Sequence, residues 1–216
     1  MSELATPPAS KKLPARVLRD LARGIDVSDI AFDELFPEQI RSLSSVHWTP
    51  VRVARRAAQL LNNGHDCRVL DIGSGPGKFC LIGALTTPGA YVGIEQRPAL
   101  VEVARQIAET HRIPRVDFLS ATMEEMDWSV FTGLYLYNPF IEHLYAHDER
   151  IDATVDFGEV QYRAQVAYVQ NKLETLAVDT RVVTYHGFGG EMPPSYTITA
   201  HEKWGDDFLV AWEKVY

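Results

Sequence analysis

Residues 69–79 read Val69-Leu70-Asp71-Ile72-Gly73-Ser74-Gly75-Pro76-Gly77-Lys78-Phe79. An apolar run that carries a carboxylate, three glycines at alternate positions and a return to apolar residues spell a buried strand, a tight turn and a helix. Glycines let the backbone turn sharply and approach a ligand closely. The next apolar run ends in Glu95, 24 residues beyond Asp71. A carboxylate at the end of a second strand is placed to accept both ribose hydroxyls of a nucleoside. The glycine spacing is not the G-x-G-x-x-G of dinucleotide folds, and Asp71 would repel a pyrophosphate, which argues against a nucleotide-dependent oxidoreductase. A cationic ligand with an ammonium group suits it better. Lys78 is followed by Phe79, not by Ser or Thr, so the phosphate loop of NTPases is excluded.

Outward from this turn, strands and helices alternate. Strands are expected at 68–72, 91–95, 116–120, 133–137 and 181–185, with a final pair at 196–203 and 208–215 joined through Gly205-Asp206-Asp207. Helices are expected from Pro50, with Thr49 as N-cap and Asn63-Gly64 as the end, then from the glycine turn to about 85, over 98–110, and over 159–177. Such alternation gives an α/β fold, a mostly parallel sheet with helices on both faces, and the terminal hairpin puts one antiparallel strand into it. Before residue 45 the apolar residues Leu13, Val17, Leu21, Ile30, Leu35, Ile40 and Leu43 recur at helical steps, interrupted at Pro14, Gly24 and Pro37. Residues 1–45 are therefore expected to form an N-terminal extension of short helices, frayed over its first ten residues, and residues 46–216 the main domain.

The chain has 216 residues, with 21 Lys+Arg against 29 Asp+Glu and a net charge of −8. An acidic protein is disfavoured as a nonspecific nucleic-acid binder, which works by neutralising phosphates. Residues 1–23 run the other way, at +3, through Lys11, Lys12, Arg16, Arg19 and Arg23. That stretch is a solvated helix face or a contact with an acidic substrate or partner. Cys67 and Cys80 flank the glycine turn without metal-ligand spacing and are expected as reduced, buried thiols of a cytoplasmic protein. No apolar run approaches the roughly 20 residues of a membrane span, and residues 1–13 lack the apolar stretch of a signal peptide. His111, His147, His186 and His201 show no ligand spacing, and no metal site is expected.

On Asp71-Ile72-Gly73-Ser74-Gly75-Pro76-Gly77 and Glu95, the chain resembles the class I methyltransferases, the seven-strand, Rossmann-like enzymes dependent on S-adenosylmethionine; the resemblance spans residues 46–216. It implies a sheet in the order 3-2-1-4-5-7-6 with the seventh strand antiparallel. It implies S-adenosyl-L-methionine as cofactor, held by Asp71, Gly73, Ser74, Gly75, Gly77 and Glu95. In this family the segment corresponding to His47-Trp48-Thr49-Pro50 can close over the methionine end, which adds Thr49 to the cofactor residues beside its reading as a cap. Trp48 is a core anchor or part of that lid. One departure concerns adenine: Ala121 stands where many members have an Asp. Adenine then falls to the backbone around Thr122 and Met123, or to Glu124 or Asp127.

The end of the fourth strand carries Tyr137-Asn138-Pro139-Phe140. It resembles the Asn-Pro-Pro-Tyr signature of amino-methyltransferases that act on adenine N6 or glutamine N5. Asn138 and Pro139 carry over; the second Pro is missing, and Phe140 stands one place early, with Ile141 at the aromatic position. The resemblance implies that Asn138, Pro139 and Phe140 present the acceptor nitrogen. A turn that merely ends the strand accounts for the same Asn-Pro pair. A second resemblance, to the seven-strand lysine methyltransferases, rests on the Asp-x-Gly-Ser-Gly motif and the Thr49-Pro50 step. Both imply an amine or amide nitrogen and a direct in-line displacement. His143 is a proton acceptor or a loop residue, and Tyr185 and His186 end the fifth strand facing the acceptor. The loop 141–158 is acidic through Glu142, Asp148, Glu149, Asp152 and Asp156, which favours a basic protein or an amine as acceptor. Loop 187–194 replaces a helix and is a second specificity element. The incomplete Asn-Pro-Pro-Tyr match and the missing adenine Asp also fit a cofactor-binding partner subunit without activity, which would bind cofactor, turn nothing over and form a stable complex with another protein.

Overall fold

The computed structural model describes residues 12–64, 66–146, 149–152 and 154–216. The expected frayed end, Lys11, His147 and Asp148 lie outside these residues. The described chain opens with four short helices, α1 (Lys12–Ala22), α2 (Asp29–Asp33), α3 (Glu38–Arg41) and α4 (Ser44–His47). Then come α5 (Val51–Leu61), β1 (Arg68–Ile72), α6 (Lys78–Thr86), β2 (Ala90–Glu95), α7 (Pro98–His111), β3 (Val116–Ser120) and β4 (Gly133–Tyr137). The chain closes with α8 (Glu159–Thr175), β5 (Arg181–Tyr185), β6 (Tyr196–Trp204) and β7 (Asp207–Lys214).

The seven strands form one sheet in the order β3-β2-β1-β4-β5-β7-β6. β1 to β5 pair in parallel, and β7 runs antiparallel to both β5 and β6. The sheet separates two cores, as period-2 alternation requires. Val69 faces a cluster with α5, α6 and α7, while Leu70 and Ile72 face one with Trp128, Leu134 and α8. The apolar face expected over 159–177, Tyr162, Val166, Val169, Leu173 and Leu176, is buried except at the half-buried Tyr162, and Leu176 lies just past the end of α8.

The N-terminal helices share the first core. Val17, Leu18, Leu21, Phe32 and Phe36 belong to the same buried cluster as Ala54, Leu61 and Leu81. Three local expectations are corrected. Pro14 does not interrupt α1 but sits in its first turn, where no backbone donor is needed. Ile30, expected inward, is 81% exposed. Pro50, not Thr49, is the N-cap of α5, and the Thr49 hydroxyl instead bonds the Tyr135 hydroxyl at 2.9 Å.

Candidate active site

The carboxyl ends of β1, β2, β4 and β5 open into one cavity of about 860 Å³. Crevices at this end of an open α/β sheet are where ligands bind, because the strand order reverses there and the flanking loops part. Ile72 and Gly73 line it from β1, Ile94 and Glu95 from β2, Tyr137 and Asn138 from β4, and Tyr185 and His186 from β5. Its outer wall comes from the N-terminal segment, through Asp29, Ile30, Asp33, Ser44 and Trp48.

The turn after β1 begins with the Gly73 and Ser74 amides both donating to the Ile94 carbonyl, at 3.0 and 2.9 Å. This holds the turn against the end of β2. Gly73 has φ +73, a conformation that favours glycine, and a methyl group placed on it would lie 3.4 Å from the Pro139 side chain. The first motif and the β4 motif therefore face each other across the cavity floor.

Glu95 is 5% exposed, and burial raises its pKa, opposed by the Arg97 amide. Its Oε1 accepts the Arg97 amide at 2.9 Å and its Oε2 the Gly75 amide at 3.2 Å. Each carboxylate oxygen keeps acceptor capacity for a ligand hydroxyl. Arg97 is itself buried. It forms a two-pronged pair with Glu142 at 2.9 Å and a bond to Asp152 at 3.1 Å, and lies 3.7 Å from Glu95. Glu142 and Asp152, two of the acids expected to draw a basic acceptor, are thus turned inward onto one arginine.

Of the residues expected to hold cofactor or acceptor, Gly73, Glu95, Thr122, Met123, Asn138, Pro139 and Phe140 line the cavity, and Thr49, Asp71, Ser74, Gly75 and Gly77 do not. The five that do not line it are each held in a tightly packed place. Gly75 lies under the Trp48 indole, which would sit 2.5 Å from a methyl group there. Gly77 lets Phe118 and Ala104 close in, with the Phe118 ring 2.5 Å from where a methyl would stand. Ser74 is packed on Gly93, its buried hydroxyl without a partner. Asp71 is buried beneath the turn, accepts the Cys80 thiol at 3.4 Å, and is pushed up to about 7 by burial. Thr49 is spent on Tyr135. Trp48 is both anchor and wall: it is buried, seated on Gly75, and lines the cavity.

At the expected adenine end two of the backbone groups already have partners. The Thr122 amide donates to Glu125 at 2.8 Å, and the Met123 carbonyl accepts the Trp128 indole at 2.9 Å. Asp127 bonds Ser129 and does not line the cavity, whereas Gln96, Ala121, Met123 and Glu124 do. At the acceptor end, Asn138 adopts φ +38 and its amide donates to the Gly187 carbonyl at 3.0 Å, tying the loops after β4 and β5 together. Phe140 is 5% exposed and packed with the second core, so its ring is mainly a floor. His143 is also buried, its Nε2 bonded to Gln165 at 2.8 Å.

Sequence reading missed Arg97, Lys78 and the two aspartates Asp29 and Asp33. Lys78 Nζ is 2.7 Å from Asp29, 2.8 Å from Asp33 and 3.2 Å from the Ser44 hydroxyl. The one local signal was a lysine opening an otherwise apolar helix; its partners lie more than thirty residues upstream.

A family model described as a methyltransferase domain matches residues 63–175. No curated protein matches. Among solved structures, the chain is similar to an RNA methyltransferase from Salinibacter ruber in complex with S-adenosyl-L-homocysteine, at 22% identity and a TM-score of 0.56, covering 77% of this chain and 93% of that one. It is also similar to TrmN from Thermus thermophilus, at 16% identity and a TM-score of 0.57, covering 77% and 49%. The mitomycin 7-O-methyltransferase MmcR is similar at 14% identity and a TM-score of 0.55, covering 91% and 62%.

Proposed function

This chain belongs to the methyltransferase-domain family, with S-adenosyl-L-methionine as cofactor, and on that premise we propose that it methylates an amine or amide nitrogen of an acceptor held at Asn138 and Pro139. One observation carries the reading: Gly73 and Pro139 adjoin, so that a single cavity has Glu95 at one end and Asn138 at the other. Donor and acceptor can then meet without either crossing bulk water.

The residues present fit this cofactor. Glu95 offers acceptors to ribose hydroxyls, Gly73 brings bare backbone to the cavity floor, and Ile94 and Met123 offer apolar surface to a flat base. Glu95 and Glu124 put carboxylates on the wall that a cationic ligand would face, while Asp29 and Asp33 are matched by Lys78. When bound, the cofactor supplies an electrophilic methyl group on a positively charged sulfur. The chain supplies orientation. The Asn138 side-chain oxygen accepts an N–H from the acceptor, and the bond to Gly187 holds that loop in place. Trp48 and the N-terminal helices screen the site from solvent.

Calorimetric titration of the purified protein tests the cofactor end. Wild type should bind S-adenosylhomocysteine, and Glu95→Gln should weaken binding by at least about tenfold, the loss of charge-assisted bonds to two hydroxyls. Asn138→Ala should leave that affinity within about threefold while abolishing transfer of tritiated methyl. Equal affinity in Glu95→Gln and wild type would overturn the placement of the ribose.

A further inference from the structure

We propose that His186, oriented by Asp207, is the base that takes a proton from the acceptor, and that the acceptor therefore enters as a protonated amine rather than an amide. This rests on the methyltransferase reading above and narrows its acceptor.

His186 follows the last residue of β5 and lines the cavity with Tyr137, Asn138 and Tyr185. Its Nδ1 lies 2.5 Å from Asp207 Oδ2, which comes from the turn of the β6–β7 hairpin. A carboxylate on Nδ1 selects the tautomer with the proton there and leaves the Nε2 lone pair free. The ring is also packed in place. It lies edge-on to Tyr185, with centroids 4.2 Å apart, and 5.4 Å from Tyr137. The backbone sits at φ +57, in the left-handed region where His is among the more frequent non-glycine residues, and this turns the chain sharply after β5. The side chain remains 36% exposed, open enough to exchange a proton.

The other candidates fail on geometry. His143 has its Nε2 bonded to Gln165, and among the described residues neither it nor His47 has a carboxylate paired with its ring. Burial lowers the pKa of His47. The Tyr137 hydroxyl is pushed up to about 12, chiefly by burial, so it stays protonated at neutral pH. His186 is faced by Tyr137 from β4, Tyr185 from β5 and Asp207 from the hairpin, and the charges acting on those two tyrosines come from Asp206 and Asp207 and from Tyr145 beyond β4. They are aromatic rings and carboxylates, which favour a bound cation.

An amide nitrogen has no lone pair available for attack and no proton that imidazole can remove. An alkylammonium has no lone pair until it loses one proton, with a pKa near 10.4, so a base is required. The proton passes from the ammonium to His186 Nε2, and Asp207 balances the imidazolium. The freed nitrogen pair forms the N–C bond while the C–S bond breaks and its pair stays on sulfur. The methylated nitrogen leaves as a secondary ammonium, and His186 returns its proton to water.

The test is transfer of tritiated methyl from S-adenosylmethionine into an extract of host cells lacking this chain, measured from pH 7 to pH 10 beside S-adenosylhomocysteine binding. His186→Gln should bind S-adenosylhomocysteine within about twofold of wild type and lose about 100-fold in transfer at pH 7. The gap should narrow toward pH 10, where the amine sheds its proton unaided. Asp207→Asn should lose about tenfold and shift the pH profile. A gap constant with pH, or label recovered on an amide or oxygen, overturns the proposal while the methyltransferase reading stands. Cofactor binding without any labelling by wild type overturns both. Should His186→Gln fail to fold, ¹⁵N imidazole spectra of wild type decide the matter: Nδ1–H with a bare Nε2 supports the dyad, and Nε2–H overturns it.

Discussion

The segment 68–97 and the segment 12–50 meet over the same cavity, yet they are built on different principles. The first is a strand, a turn and a second strand whose glycine turn is held by bonds within the segment: Gly73 and Ser74 to Ile94, and Gly75 and Arg97 to Glu95. The second is four short helices that hold their place through distant partners: Asp29 and Asp33 on Lys78, Thr49 on Tyr135, and Trp48 on Gly75. A site half written in local backbone geometry and half in long-range contacts can keep its cofactor floor while its cover changes.

The largest expected effect comes from cutting the two segments apart. Lys78→Met leaves Asp33, 6% exposed, as a buried carboxylate without its cation. Breaking a buried pair from one side costs about 3 kcal/mol or more, and Tm should fall by about 6–12 °C at this chain length. Adding Asp33→Asn should restore part of the loss. An unchanged Tm would show that the helices are held by apolar packing alone.

A second change acts within the glycine segment only. Burial raises Asp71 to about 7 from an ordinary 3.8, so between those values the folded chain holds a proton that the unfolded chain has released. Stability therefore falls as pH rises through that window, and the whole cost is present above it. Asp71→Asn should melt higher than wild type at pH 8, by about 2–4 °C for each kcal/mol relieved, and alike at pH 4. A gap of equal size at both pH values would mean that its charge is not the cause.

The smallest effect sharpens the seat of the cover on the sheet. Thr49→Val keeps the side-chain shape and removes the bond to the Tyr135 hydroxyl, which is then buried without a partner. A loss of about 1–2 kcal/mol is expected in chemical denaturation. S-adenosylhomocysteine affinity should stay within about twofold, since Thr49 does not line the cavity.

What was legible followed the range of the forces. The strands β1, β3, β4 and β5 agree with their expected bounds; in β1, β4 and β5 this is because a buried parallel strand must be apolar at nearly every position, while edge strand β3 buries only Phe118 fully. Glu95 and Asn138 reach the cavity because residues at the carboxyl ends of parallel strands all emerge on one side. The glycines were legible as a turn, but what packs against them was not. Gly75 and Gly77 are small because Trp48 and Phe118 need the space, and a sequence shows that a glycine is present without showing what lies against it.

Thus the sequence by itself determined the order of elements, the parallel sheet with its antiparallel end, the glycine turn and the carboxylate that follows it. Each of these depends on the period of apolar residues or on backbone freedom within a few positions. The tertiary structure decided the rest: the Lys78 latch, the burial of Phe140, the inward turn of Glu142 and Asp152 onto Arg97, and the pairing of His186 with Asp207. Charges and rings act on whatever lies within a few ångströms, and which residues come that close is set by the closing of the fold.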